Sequence, residues 1–315
     1  MILEKLKIGN LIAPIPIIQG GMAVRISTAN LAAAVANEGG IGVIAGTGMS
    51  IQELKNEIKR ARELTKGIIG VNVLFAVRDF ANLIKTAINE KIDLIISGAG
   101  FSRDMFLWGK ASNTPVVPIV SSAKLAVIAE KLGASAVIVE GKEAGGHLGT
   151  DRPLKEILLE VLPTVNIPVI AAGGIIDGKD IADVIKLGAK GVQMGTRFAS
   201  SKESNASDYF KSLYISSKKE DVIRIKSPVG LPGQGIKSKF SELLESDNVP
   251  KITKCVNCLK QCSRNFCIMD ALENACPNGD NNKSLIFAGE YVYKINDILP
   301  VKTIFKNLLS EIAKC

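Results

Sequence analysis

The stretch VEGKEAGGHLG, residues 139–149, carries the single histidine of the chain. His147 follows two glycines, and Glu140 and Glu143 lie just upstream. An imidazole is the one side chain that ordinarily changes charge near neutral pH, so it can abstract a proton or hydrogen-bond a bound anion. A lone histidine is more often a packing residue than a reactive one. A Gly-Gly hinge shifts that balance, because it lets the backbone approach a ligand closely. No G-x-S-x-G elbow accompanies His147, which argues against a nucleophilic triad.

Sulfur is the second candidate chemistry. Cys255, Cys258, Cys262, Cys267 and Cys276 crowd into 22 residues, Cys315 ends the chain, and no cysteine precedes residue 255. The steps of three, four and five between the first four match no common zinc or iron–sulfur pattern. Three readings stand: a metal site, redox-active pairs, or reduced thiols packed within an insert. The spacing favours packed thiols, with no metal. The N-terminal MILEKLKIGN mixes charges and offers no small-residue cleavage site, so no secretory leader is expected. The cysteines are then not a secreted disulfide framework, and a reducing cytoplasm is the expected location.

These residues need a scaffold, and the first two hundred positions describe one. Eight short apolar runs, at 15–21, 41–46, 69–75, 94–100, 115–122, 136–141, 168–174 and 191–196, end in glycine or small polar residues. They are rich in Val and Ile and do not alternate with polar residues, as strands buried on both faces read. Helical patterns separate them. STANLAAAVANEGG opens with cap-competent Ser27 and Thr28, and Ser50 stands three residues before Glu53 as a capping box. Eight such units predict an α/β fold, a parallel (β/α)8 TIM barrel, in preference to an open doubly wound sheet. Residues 1–200 form the barrel with its eight strand units, and residues 300–315, which contain PVKTIFKNLLSEIAK, supply its closing helix. Residues 201–299 are more polar and too long for an ordinary connection. They read as a smaller, partly helical insert capping the substrate side.

Hydrophobic residues make up 47% of the 315, enough for a large core. No apolar run approaches the roughly 18–20 residues needed to span a bilayer. The net charge of +8 is spread without a basic block, so neither nucleic acid nor membrane is an expected partner.

In a barrel of this kind the active site lies at the C-terminal ends of the strands, and the loops after strands seven and eight commonly hold phosphate. AAGGI and QMGTRF occupy those two places. GTGMSI after strand two lacks the lysine of an ATP loop, and no dinucleotide fingerprint with its acidic partner stands out. A mononucleotide with one phosphate fits better. His147, just past strand six, falls on the same rim.

IQGGMA, GVNVL, EGKEAGGHLG, PVIAAGGI and VQMGTRF, in this order and spacing, resemble the nitronate monooxygenase (formerly 2-nitropropane dioxygenase) family. That family includes FMN-dependent enoyl-acyl-carrier-protein reductases. The resemblance covers about residues 10–200 and implies a barrel with non-covalent FMN. By motif, it implies Gly21 and Met22 against the flavin and Asn72 near its ring. Glu140 and Gly145 would contact the ring or the ribityl chain. Gly173, Gly174, Gly195 and Thr196 would hold the phosphate, with Gln193 and Met194 completing the strand-eight contact. His147 matches the family's active-site histidine, a base or a donor to the substrate's nitro group. QGGM and Glu140 resemble the reductase branch, whereas the cysteine segment and LIFAGEYVYKI resemble bacterial nitronate monooxygenases. Oxidation of alkyl nitronates with O2 is the leading expectation. NAD(P)H-dependent reduction of an enoyl thioester carried on acyl carrier protein is the alternative, and a non-catalytic flavin-binding protein is the third reading. A small-molecule substrate and a homodimer complete the expectations.

Overall fold

The computed structural model describes residues 1–246, 249 and 251–315. A hairpin of β1 (Leu6–Ile8) and β2 (Leu11–Ala13) opens the chain. Then come the barrel strands β3 (Ile17–Gln19), β4 (Ile41–Ala45), β5 (Ile68–Leu74), β6 (Leu94–Gly98), β7 (Val116–Val120) and β8 (Val137–Glu140). After the two-residue β9 (Gly146–His147), β10 (Val169–Ala172) and β11 (Gly191–Met194) complete the ring. The eight strands β3–β8, β10 and β11 form a closed parallel barrel, with Val192 of β11 in register with Ile17 of β3. Each coincides with one of the eight apolar runs.

The unbroken apolar runs have a direct cause. Ile18, Leu94, Ile96, Ile138 and Ile170 point into the barrel, whereas Ile17, Ile95, Val137, Val139 and Val169 face the helical layer. Both faces of every strand are covered, so no polar alternation survives. Gln19 is one of the buried polar exceptions, with Ser97 and Gln193. Its Oε1 accepts from Val43 N–H at 3.0 Å and its Nε2 donates to Val43 O at 3.2 Å, joining β3 to β4 where the backbone register has one pair, Ile18 with Ile41.

The outer layer consists of α1 (Ala29–Asn37), α2 (Ile51–Leu64), α3 (Phe80–Asn89), α4 (Arg103–Ser112), α5 (Ala123–Leu132), α6 (Leu154–Val161) and α7 (Gly178–Lys186). The Ser50–Glu53 capping box at the start of α2 is formed as the sequence predicts. At α1 the cap differs. Thr28 is the N-cap but makes no side-chain bond, and Ser27 turns back to accept from Met22 N–H at 2.9 Å. That serine secures the strand-one loop instead of the helix.

Beyond β11 the chain forms α8 (Thr196–Ala199), α9 (Asp208–Ser216), β12 (Val222–Lys226), β13 (Pro232–Ile236), α10 (Lys239–Leu244) and α11 (Ile268–Glu273). The closing helix α12 (Val301–Ala313) starts after Pro300 and buries Phe305 and Leu308. Glu311 Oε2 accepts from Gly178 N–H at 2.7 Å, tying α12 to the first residue of α7. The sequence predicts helices after strand eight, and these are present. It does not predict the antiparallel pair β12–β13, nor that β13 continues onto β9, with Gly233 opposite His147 and Gln234 opposite Gly146. The hairpin after β11 thus grips the glycine-rich loop after β8. No helix among the described residues is long and apolar enough to cross a membrane.

Candidate active site

A cavity opens where the barrel strands end. Glu140 and Met194 end their strands, Gln193 stands one residue before the end of β11, and Asn72 lies two residues before the end of β5. Parallel register sets Ala45 beside Asn72 and Ala172 between Glu140 and Gln193. Gly21, Met22, Asn72, Glu140, Gly145, His147, Gly173, Gly174, Gln193, Met194, Gly195 and Thr196 all line this cavity. The sequence-derived residues are therefore brought together around one cavity.

Gly21 is required by space. A Cβ there would stand 2.4 Å from Asn72 Cβ. The contact lets Asn72 Nδ2 donate to Gly21 O at 3.2 Å, which fixes the amide and turns Oδ1 the other way. Asn72 Oδ1 and Gln193 Oε1 are both buried without a hydrogen-bond partner among the described residues. Gly173 and Gly174 have φ of +106° and +71°, a consecutive left-handed pair that side chains resist. A Cβ on Gly174 would also meet Tyr291 Cε2 at 2.9 Å.

Two ionisable groups in the cavity, Glu140 and His147, are shifted in opposite directions by one cause. Burial pushes Glu140 up from 4.5 to about 8 and His147 down from 6.5 to about 4. Both are uncharged at neutral pH, because desolvation penalises whichever form carries charge. His147 Nε2 lies 2.7 Å from Ser227 Oγ, and its ring meets Phe287 edge to face at 5.1 Å.

Several cavity residues are absent from the sequence reading. Phe210 and Tyr214 come from α9, and Met269 and Leu272 from α11. Phe287, Gly289 and Tyr291 come from an extended segment threaded between β13 and the barrel. Gly289 N–H donates to Thr196 Oγ1 at 2.9 Å and Glu290 N–H to Glu143 O at 2.9 Å. Tyr214 OH donates to Phe287 O at 2.5 Å. The turn-rich SPVGLPGQG and the apolar LIFAGEYVYKI were visible as patterns, but no local periodicity says that residues 80 to 140 positions downstream return to the loop of His147.

The cysteines lie to one side. Cys255 and Cys262 are exposed, Cys258 and Cys267 half-buried, and Cys276 buried with its thiol donating to Val24 O at 3.0 Å. Among the described residues, no group of three or more His, Cys, Asp or Glu side chains is arranged to hold a metal. Backbone bonds dock the segment, with Arg78 N–H donating to Cys258 O at 2.9 Å and Lys260 N–H to Ala76 O at 2.8 Å.

The geometry has known counterparts. A family model described as nitronate monooxygenase matches residues 5–311. The chain belongs to the nitronate monooxygenase family, whose members are oxidoreductases. A probable nitronate monooxygenase of Staphylococcus aureus strain Newman is 32% identical over 272 residues, which is 72% of this chain and 76% of the relative. Among solved structures, FabK from Thermotoga maritima is 33% identical with a TM-score of 0.85, covering 95% of this chain and 93% of its own. A nitroalkane oxidase from Streptomyces ansochromogenes is 26% identical with a TM-score of 0.81, covering 96% of each chain.

Proposed function

We propose that this family member is an FMN-dependent nitronate monooxygenase that oxidises alkyl nitronates with O2. The observation that carries the cofactor is the pair of partnerless buried acceptors, Asn72 Oδ1 and Gln193 Oε1, facing a cavity that also holds the Gly173–Gly174 turn. A flavin mononucleotide offers a ring N–H and ribityl hydroxyls as donors and a terminal phosphate as an anion. The residues present suit each part. Asn72 and Gln193 would accept from the donors. Gly174, Gly195 and Thr196 would receive the phosphate, since left-handed glycine turns expose backbone N–H groups to anions. Gly21, Met22 and Gly145 would pack against the ring. Glu140, holding its proton at neutral pH, would donate a hydrogen bond to a cofactor carbonyl or hydroxyl.

Bound FMN would supply the two-electron chemistry that a polypeptide lacks. The chain's own contribution is orientation, desolvation and one positioned imidazole. Leu74, Ile119, Val229 and Phe287 exclude water from the substrate side. His147 is neutral, so it attracts an anionic nitronate by hydrogen bonding and not by full charge. A hydrogen bond in such a dry cavity is stronger than in water. The insert, residues 201–299, would cap the substrate side through Leu259, Met269 and Leu272, which line the cavity.

A second reading has its own support. The likeness to FabK over nearly the whole chain and the carboxyl at Glu140 favour NAD(P)H-dependent reduction of an enoyl thioester on acyl carrier protein. One experiment separates the two. The purified protein is analysed for its flavin, then assayed with a nitronate and O2 and, separately, with crotonyl thioester and NADH. Nitronate turnover with bound FMN supports the first reading, and thioester reduction alone replaces it with the second. A protein that binds FMN but performs neither reaction is a flavin-binding protein without this catalysis.

A further inference from the structure

Ser227 is separated from His147 by 80 residues, yet its Oγ stands 2.7 Å from the imidazole Nε2. The serine is buried, and its Oγ also accepts from Val229 N–H at 3.3 Å. A hydroxyl has one hydrogen to donate and two lone pairs to accept with. Among the described residues, the only acceptor within reach of that hydrogen is Nε2. Were the ring to donate from Nε2 instead, the serine hydrogen would be buried with nowhere to go, and native structures seldom leave a buried donor in that state.

The ring cannot easily turn to present its other edge. His147 is held by backbone pairing to Gly233, and Leu148 N–H donates to Pro232 O at 2.9 Å. Phe287 lies edge to face against the imidazole, itself fixed by Tyr214 through its carbonyl. Ser227 sits in the connection between β12 and β13, so the hairpin that pins the backbone also delivers the hydroxyl. The second ring nitrogen, Nδ1, has no partner among the described residues.

We propose that Ser227 is a positioning residue that holds His147 in the Nδ1–H tautomer, so that the imidazole meets its ligand as a hydrogen-bond donor and not as a proton-abstracting base. The nature of that ligand rests on the flavoenzyme reading above; the tautomer does not. The consequence is a substrate that must bring an acceptor, such as a nitronate or thioester oxygen, and must arrive with its acidic proton already lost or never present.

The chain has one histidine, which makes the test direct. Protein labelled with 15N-histidine is examined as purified, by long-range 1H–15N correlation at neutral pH. The expected spectrum shows a protonated Nδ1 and a bare Nε2. A protonated Nε2 in the wild-type protein overturns the proposal. In Ser227→Ala the Nδ1–H form should lose its dominance, while Ser227→Thr, which keeps the hydroxyl, should restore it. An unchanged tautomer in a folded Ser227→Ala overturns it as well. If that variant does not fold, the wild-type spectrum and the threonine variant still decide. On whichever substrate the enzyme accepts, kcat should fall roughly tenfold in Ser227→Ala, the scale of one net hydrogen bond, and recover in Ser227→Thr. Failure of both substrate assays would defeat the functional reading while leaving the spectrum to judge the tautomer.

Discussion

Glu140 and His147 couple this cavity to folding between pH 4 and 8, and they pull in opposite directions. Between pH 4.5 and 8 the native Glu140 keeps a proton that the unfolded chain has released, so its contribution to stability is lost as pH rises. Between pH 4 and 6.5 the unfolded His147 holds a proton that the native ring refuses, so stability is gained as pH rises. Each slope is about 1.4 kcal/mol per pH unit. The two oppose each other up to pH 6.5, after which Glu140 acts alone and stability falls toward pH 8. Glu140→Gln should therefore turn the lower range into a rise and flatten the upper one, read from urea midpoints of flavin-free protein at pH 4.5, 6.5 and 8. An identical pH dependence in the variant would show that Glu140 is solvated and ionised. The same depression keeps His147 neutral under turnover conditions, and the Nδ1–H tautomer proposed above is what leaves it a donor to the ligand. His147→Ala should keep the fold and the flavin while turnover drops by roughly 10²–10³, the range for losing one preorganised donor. Unchanged turnover at full flavin content would remove His147 from the chemistry. A rise in KM with kcat held would make it a binding group only.

At the scale of elements, the strand ends carry the site. Eight buried runs announce themselves by composition, because a strand covered on both faces has no place for alternating polar residues. The capping box of α2 was equally legible, since its hydrogen bonds are made within four residues. The β1–β2 hairpin escaped notice because its strands are three residues each, with Gly9 at φ +57° in the turn. The β12–β13 pair escaped for another reason: Pro232, Gly233 and Gly235 give a strand poor in the residues that mark one. Gly235 belongs there because a Cβ would lie 2.2 Å from Ile286 O, a contact set by a segment fifty residues away. The Gly173–Gly174 turn after β10 was legible by position, and its function is open to a sharp test. Gly174→Asp puts a carboxylate where the proposed phosphate sits, on a backbone already in the left-handed region. The variant should fold yet elute without FMN. Stoichiometric FMN on a folded Gly174→Asp protein would move the phosphate elsewhere.

The whole molecule is a barrel whose cavity is completed by chain that arrives after its last strand. That supplement has two parts with different attachments. The hairpin and the segment around Phe287 are bonded to the loop of His147 and to Thr196, so they belong to the site's framework. The cysteine-bearing segment is anchored otherwise. Its backbone bonds run to Ala76 and Arg78 on the barrel and, through Ser263 N–H, to Pro228 O in the β12–β13 connection, and the Lys260 ammonium lies 3.5 Å from the centre of the Phe75 ring. Leu259, Ile268 and Met269 reach the cavity from it, while the neighbouring thiols of Cys255 and Cys262 face solvent. The attachment is therefore made by main chain, a cation and apolar side chains, none of which a thiol-to-hydroxyl exchange alters. A variant carrying serine at Cys255, Cys258, Cys262 and Cys267 should fold, bind FMN in full and turn over at the wild-type rate. Its cost should be confined to the half-buried Cys258 and Cys267, at about 1 kcal/mol of stability, where a hydroxyl replaces a weakly polar group. Thermal unfolding, flavin absorbance and metal analysis on the same preparations make the comparison. One equivalent of zinc or iron in the wild type, or flavin retained with turnover lost in the variant, would show that the four thiols act as a site and not as packing.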